Sequence, residues 1–142
     1  IKRLGGLLVQ APRMGWIMGF CAMAALGLPG LAGFGGEFPA ILSAYQPAPM
    51  LNEALFRTLM VIAALGTVLA AGYLLWLYQR TAMGTPPEEF AKDPEIVDVK
   101  TTEWIAWVPL LILIVVLGFL PSLIFDITNP AATLVAAAAT GA

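Results

Sequence analysis

The chain has 142 residues, of which 60% are hydrophobic and only 11% are charged, with a formal net charge of −2. Soluble domains carry roughly 25% charged residues, so this composition excludes an ordinary soluble enzyme and predicts a membrane protein. Histidine is absent and Cys21 is the only cysteine, which excludes an intrachain disulfide and a cysteine metal cluster. No metal site is therefore expected, and any proton chemistry must use carboxylates, lysines and water.

The first segment of the chain, residues 1–13, is basic and irregular. Gly5-Gly6 and Pro12 oppose a long helix there. The sequence begins at Ile1, with neither an initiator methionine nor the pattern of a signal peptide. We therefore expect the C-terminal part of a longer protein.

Residues 14–46 form the first predicted membrane segment. One straight helix of this length would measure about 50 Å, whereas the hydrocarbon core of a bilayer is about 30 Å thick. A helix-breaking cluster, Leu28, Pro29 and Gly30, followed by Gly33, lies within the segment. The segment is thus either two short helices that each cross the membrane or one span interrupted near its middle. We favour the interrupted span, because residues 14–26 alone would reach only about 20 Å.

The rest of the chain predicts two further spans, so the fold class is an all-α, polytopic transmembrane bundle of about three spans, the first discontinuous. Small residues recur along the second span and predict close packing against neighbouring helices. Residues 83–103, the acidic loop and the first residue after it, carry six carboxylates, which predict a solvated face or a docking surface. The predicted segments are a second span at 54–82, an acidic loop at 83–102, a third span at 103–126 and a tail at 127–142.

The distribution of lysine and arginine predicts the orientation. With three spans, six of the seven basic residues lie in residues 1–13 and 80–103, and only Arg57 lies on the other side. This places the basic segment and the 83–102 loop in the cytoplasm and the tail outside. Two complete spans within 14–46 would divide the cations evenly, so the charge rule also favours the interrupted span.

Glu37 is the only charged residue between Met14 and Gln46. A carboxylate at membrane depth costs roughly 2.5 kcal/mol or more, and such groups usually face a protein interior or a water-filled path. Pro29 frees a backbone carbonyl that water can then satisfy. We therefore predict that Glu37 is a proton relay beside a hydrated helix break. The alternative is a structural ion pair or hydrogen bond with a neighbouring helix.

No phosphate loop, dinucleotide fingerprint, nucleophile elbow or zinc motif is present in the sequence. The glycines around Glu37 follow no strand, so they do not predict a nucleotide site. Nucleic acid is not an expected partner.

Three short strings carry a resemblance to a known family. Ala25-Leu26-Gly27-Leu28-Pro29-Gly30, then Gly33-Phe34, then Gly36-Glu37-Phe38, resemble the antiporter-like membrane subunits of respiratory complex I, the proton-pumping NADH-quinone oxidoreductase. Related subunits usually place a lysine at the position of Glu37. The resemblance covers nearly the whole chain and is weakest in the acidic loop and the alanine-rich tail.

The resemblance implies the last three of fourteen helices, the first being the discontinuous twelfth. Glu37 would match the glutamate on the outward proton path, while the family's central lysines lie in helices that precede this chain. NADH, FMN, iron–sulfur clusters and quinone are expected on other subunits, with none on this chain. Expected partners are other membrane subunits, the lipid bilayer, protons and internal water, in a bacterial inner membrane. A subunit of a multisubunit Na⁺/H⁺ antiporter, a membrane-bound hydrogenase subunit and a structural membrane anchor remain alternatives.

Overall fold

A computed structural model describes residues 5–88 and 97–140. No strand occurs in these two ranges, which confirms the all-α prediction. Parts of the predicted basic segment, acidic loop and tail lie outside the described residues. The helices are α1 (Leu7–Gln10), α2 (Pro12–Ala25), α3 (Ala32–Ser43), α4 (Glu53–Ala82), α5 (Thr101–Phe119) and α6 (Ser122–Thr140).

The predicted first membrane segment consists of two helices, α2 with 14 residues and α3 with 12. Pro12 opens α2, where its fixed φ suits the first helical turn and its missing N–H has no partner to lose. At about 1.5 Å per residue, neither helix alone reaches across a hydrocarbon core of about 30 Å. Residues 26–31 form a break between them.

A tight turn makes this break. The N–H of Leu31 donates to the carbonyl of Leu28 at 3.0 Å, with Pro29 and Gly30 at the two central positions. Gly30 has a φ of +90°, so the sequence and geometry fit a type II turn, which favours proline followed by glycine. Gly27 precedes the turn with a φ of +64°, another conformation that suits glycine. The predicted residue Gly33 lies in the first turn of α3 rather than in the break.

Helix α5 packs directly against the break. A Cβ atom built on Gly118 would overlap the carbonyl group of Gly30, so only a residue without a side chain permits this approach. The ring of Phe119 lies beside Gly30, and Pro121 lies beside Gly35 of α3. The turn is therefore held by a neighbouring helix that is distant in the sequence.

The C-terminal part of the chain differs from the prediction of one helix over 103–126 followed by a tail over 127–142. Helix α5 ends at Phe119, and α6 begins at Ser122. Pro121 has no N–H to continue the helical hydrogen bonds and disfavours a helical conformation at the residue before it. Leu120 accordingly has φ −123° and ψ 61°. Most of the predicted tail belongs to a second helix.

Among the described residues, α4 and α5 are long and apolar enough to cross a membrane. Their surfaces carry many exposed large apolar side chains, such as Leu69 at 73% and Ile105 at 71% exposure. A soluble monomer rarely exposes contiguous apolar surface on this scale. These surfaces are suited to lipid or to further apolar helices.

The tightest packing lies where the loop before α5 meets the start of α2. Ala11, Ala82 and Val99 are buried there. The carboxylate of Asp98 accepts hydrogen bonds at 3.1 Å from the backbone N–H groups of Arg13 and Met14, in the first turn of α2. Arg13 in turn donates from its guanidinium to the Val99 carbonyl at 3.2 Å. A carboxylate from a distant loop thus caps the broken helix.

The capping carboxyl of Asp98 has a shifted pKa. Desolvation raises the pKa, but the backbone N–H groups of Val99, Arg13 and Met14 and the charge of Arg13 lower it more, so it falls below 3.8. Because the pKa of Asp98 is lower in the folded state than in the unfolded state, its contribution to folding stability is complete at pH values above its ordinary pKa. It is lost as the pH falls through the folded-state pKa.

We expect Asp98→Asn to lower the thermal stability of the assembled protein at neutral pH, because an amide offers one acceptor oxygen where the carboxylate uses two. Melting curves from pH 8 down to about pH 2 check this, and the deficit should shrink only below the ordinary pKa of 3.8. Asp126→Asn, an exposed carboxylate on α6, is the control. Equal melting of Asp98→Asn and the parent protein at pH 7 would contradict the capping role.

Candidate functional site

Glu37 lies in the second turn of α3, close to the helix break. Helical side chains lean toward the N-terminus of their helix, which carries this carboxylate back over the break. A Cβ atom built on Gly27 would lie 3.0 Å from Oε2 of Glu37. The carboxylate therefore rests against a backbone position that has no side chain of its own.

Two cavities adjoin the carboxylate. The smaller has a volume of about 130 Å³ and lies between the break, α3 and Thr67 of α4. The larger, about 300 Å³, extends along α4 from Ala63 to Tyr73 and also touches Ala25 at the end of α2. Glu37 lines both, so the predicted relay residue stands where the two cavities meet.

Aromatic side chains shape the smaller cavity on the α3 side. The rings of Phe34 and Phe38 stack with their centroids 5.0 Å apart and their planes 13° from parallel. They stand one helical turn apart, with Glu37 between them in sequence, and both line the cavity. One side of the carboxylate is thus apolar, while the break and α4 supply the polar groups.

The larger cavity is bordered by the C-terminal end of α2. Pro29 cannot donate the hydrogen bond that a helix would supply to the carbonyl of Ala25, four residues earlier. Ala25 and Leu26 both line this cavity. The break therefore leaves the carbonyl of Ala25 able to accept a further hydrogen bond, beside the larger cavity that Glu37 also lines.

Glu37 is exposed on this chain, because its outer side has no covering helix among the described residues. No hydrogen bond or ion pair joins its carboxylate to another residue in 5–88 or 97–140. The ion pair of the described region lies elsewhere, between Arg57 and Glu53 in the first turns of α4. Arg57 also stacks on the ring of Tyr45, 4.9 Å from its centroid, and so joins α4 to the end of α3.

The predicted break residues are placed around Glu37 as follows. Leu28, Pro29 and Gly30 form the turn, and Gly33 contacts the carbonyl of Ala24 across the break. The sequence reasoning missed Thr67, which faces Glu37 from α4. The prediction that the small residues of α4 pack against neighbouring helices stays a prediction; within this chain, a Cβ atom on Gly66 would meet no atom within 4 Å. The sequence feature that could have indicated Thr67 is its hydroxyl, which stands among the small residues of α4.

Similar sequences occur among curated proteins, although no family model matches the chain. NADH-quinone oxidoreductase subunit M of Rhodobacter capsulatus is 38% identical over 130 residues, which is 92% of this chain and 23% of the relative. NADH-ubiquinone oxidoreductase chain 4 of Arabidopsis thaliana is 32% identical over 89% of this chain and 23% of the relative. The chain is homologous to part of subunit M. The resemblance carried by Gly36-Glu37-Phe38 and the strings before it is thereby confirmed.

A further relative has a different name. F(420)H(2) dehydrogenase subunit M of Methanosarcina mazei is 32% identical over 126 residues, or 89% of this chain and 23% of the relative. The chain thus spans less than a quarter of the length of the curated relatives it matches. Together with its apolar helices, this homology to subunit M identifies it as a membrane protein.

Proposed function

We propose that this chain is part of a proton-translocating, antiporter-like membrane subunit, in which Glu37 takes up and releases a proton beside the broken helix. The observation that carries the proposal is the position of its carboxylate. The carboxylate rests against Gly27 of the break and lines two cavities. One of these cavities is also lined by Ala25, whose carbonyl has lost its helical hydrogen bond. Carboxylates and water are the groups that proton relays in membranes commonly use.

The rest of the subunit is what covers the exposed side of Glu37 in this proposal. A carboxylate that faces other helices of the same protein, rather than lipid, can exchange protons with groups on those helices at a tolerable cost. Half-helices that end at membrane depth are tolerated where their free backbone groups meet protein or water. The break and the acid therefore belong to one hydrated passage.

The relatives' names support a respiratory assembly that oxidises NADH and reduces a quinone. In that assembly this chain provides proton transfer, while NADH, FMN, iron–sulfur clusters and quinone bind other subunits. Its neighbours are other membrane subunits and lipid. The location is a bacterial inner membrane, with residues 83–102 in the cytoplasm and the tail outside.

A second electron donor is a specific alternative, because one relative is named an F(420)H(2) dehydrogenase subunit. The role of Glu37 is the same in both assemblies, so only the donor distinguishes them. The purified complex should reduce a quinone with NADH and acidify its surroundings as it does so. Turnover with reduced F420 and none with NADH would favour the alternative, and Na⁺/H⁺ exchange without any donor would reject both.

The role of Glu37 is tested in the same complex by Glu37→Gln. The amide has nearly the same shape as the carboxylic acid but cannot carry a proton through a cycle of ionisation. Proton translocation per electron should fall. An unaltered ratio would reject the relay and leave the structural-anchor reading.

A further inference from the structure

We propose that Thr67 positions the water that serves Glu37, and that the small residues around Thr67 on α4 keep the space for that water open. The proposal rests on the proposed function of Glu37 and extends it to a second helix. It assigns to α4 a role in hydration of the site rather than in close packing.

Thr67 is the residue of α4 that lines both cavities together with Glu37, within the part of the chain that the structure describes. It is half-buried on a helix whose neighbouring cavity-lining positions are apolar or glycine. Thr67 is therefore the hydroxyl-bearing residue of α4 that shares both cavities with the carboxylate. Tyr73, further along α4, reaches only the larger one.

The hydrogen bonding of Thr67 determines what it offers to water. Its Oγ1 donates to the carbonyl of Ala64 at 2.7 Å, so the proton of the hydroxyl is already engaged. The remaining lone pairs of Oγ1 accept hydrogen bonds. A water that donates one O–H to Oγ1 has its second O–H free to reach the Glu37 carboxylate.

The space around Thr67 suits water. Ala63, Gly66 and Ala70 stand three or four residues from Thr67, so they share its face of α4. Their small size leaves a cavity of about 300 Å³, and a water molecule occupies about 30 Å³ in the liquid. A buried water needs two to four polar partners. The Glu37 carboxylate, the Thr67 hydroxyl and the carbonyl freed at Ala25 supply them.

The first test removes the acceptor without changing the shape of the side chain. In the assembled complex, Thr67→Val should lower the rate of proton translocation roughly three- to tenfold, the effect of losing one hydrogen bond in the proton path. Thr67→Ser, which keeps the hydroxyl, should restore most of the rate. Thr58→Val is the matched control, since Thr58 makes the same kind of bond to Ala54, at 2.8 Å, but lines neither cavity.

The second test fills the space. Gly66→Leu places a large apolar side chain in the larger cavity and should lower proton translocation by a similar factor. Gly72→Leu is its control, because a Cβ on Gly72 also meets no atom within 4 Å and Gly72 lines neither cavity. Both substitutions replace a glycine in the same helix, so they raise helix propensity equally.

The outcomes separate this inference from the proposed function. Normal pumping in Thr67→Val and Gly66→Leu, with pumping lost in Glu37→Gln, would overturn the role of α4 and leave the relay intact. Normal pumping in all three would overturn both. A loss in Thr67→Val that Thr67→Ser does not reverse would show that packing, and not the hydroxyl, is what matters. In each case, the amount of assembled complex is measured first.

Discussion

Glu37→Gln should reduce the rate of proton translocation through this subunit by roughly 100-fold or more, the range expected when a positioned proton-transfer group is removed. Glutamine keeps the size of the side chain beside Gly27, so assembly should be unaffected. The measurements are the initial rate of proton release and the number of protons released per electron, both in vesicles that contain the whole complex. Glu37→Asp should give an intermediate rate, because its shorter side chain still ionises but withdraws from the cavities.

Glu53→Gln is the matched control for this experiment. Glu53 is also an exposed glutamate of the chain, but it pairs with Arg57 in the first turn of α4 and lines neither cavity. Its loss should leave pumping unchanged, since exposed ion pairs contribute little. Equal pumping by Glu37→Gln and the parent complex would remove the basis for the proposed function.

Gly27→Ala should have the second largest effect. Alanine at a φ of +64° is strained by about 1–2 kcal/mol, and its Cβ would stand 3.0 Å from Oε2 of Glu37. The carboxylate must therefore shift by a few tenths of an ångström away from Gly27. We expect proton translocation to fall by at least about tenfold while the complex still assembles, because about 1.4 kcal/mol already corresponds to a factor of ten in rate.

Two further variants separate strain from displacement at this position. Gly27→Asn tolerates the left-handed conformation better than alanine but still occupies the space of the carboxylate, so it should fail as Gly27→Ala does. Gly36→Ala, beside Glu37 in α3, meets no atom within 4 Å and gains helix propensity, so it should be tolerated. Pumping that survives in Gly27→Asn but not in Gly27→Ala would mean that backbone strain alone is responsible.

The location of the break followed directly from the residues. Pro29 removes a helical hydrogen bond, and Gly30 supplies the positive φ that the second central position of a type II turn requires. These effects depend only on neighbouring residues, so a single sequence is enough to predict them. The same local rule applies at Pro121: the third span was predicted to continue through it over 103–126, yet α5 ends at Phe119.

The cap on α2 shows the opposite situation. Asp98 was predicted only as one of the charges of a solvated face or docking surface, since it lies 85 residues from Arg13 and nothing in the sequence joins them. Its carboxylate instead meets the free N–H groups of α2 because the end of α4 and the loop before α5 fold back against α1 and α2. Such pairs cannot be predicted from the sequence alone, because the free energy of a hydrogen bond depends on the distance between its atoms in space.

By itself, the sequence determined that this chain is helical and membrane-embedded, that its first segment is broken, and that a single acid lies near the break. Each of these depends on composition or on the conformations open to neighbouring residues. Only the tertiary structure decided that Gly118 admits the turn, that Asp98 caps α2, and that Thr67 faces Glu37. Each of these three contacts joins residues that are distant in the sequence. The packing of helices in three dimensions brings them together, and no local sequence pattern encodes that packing.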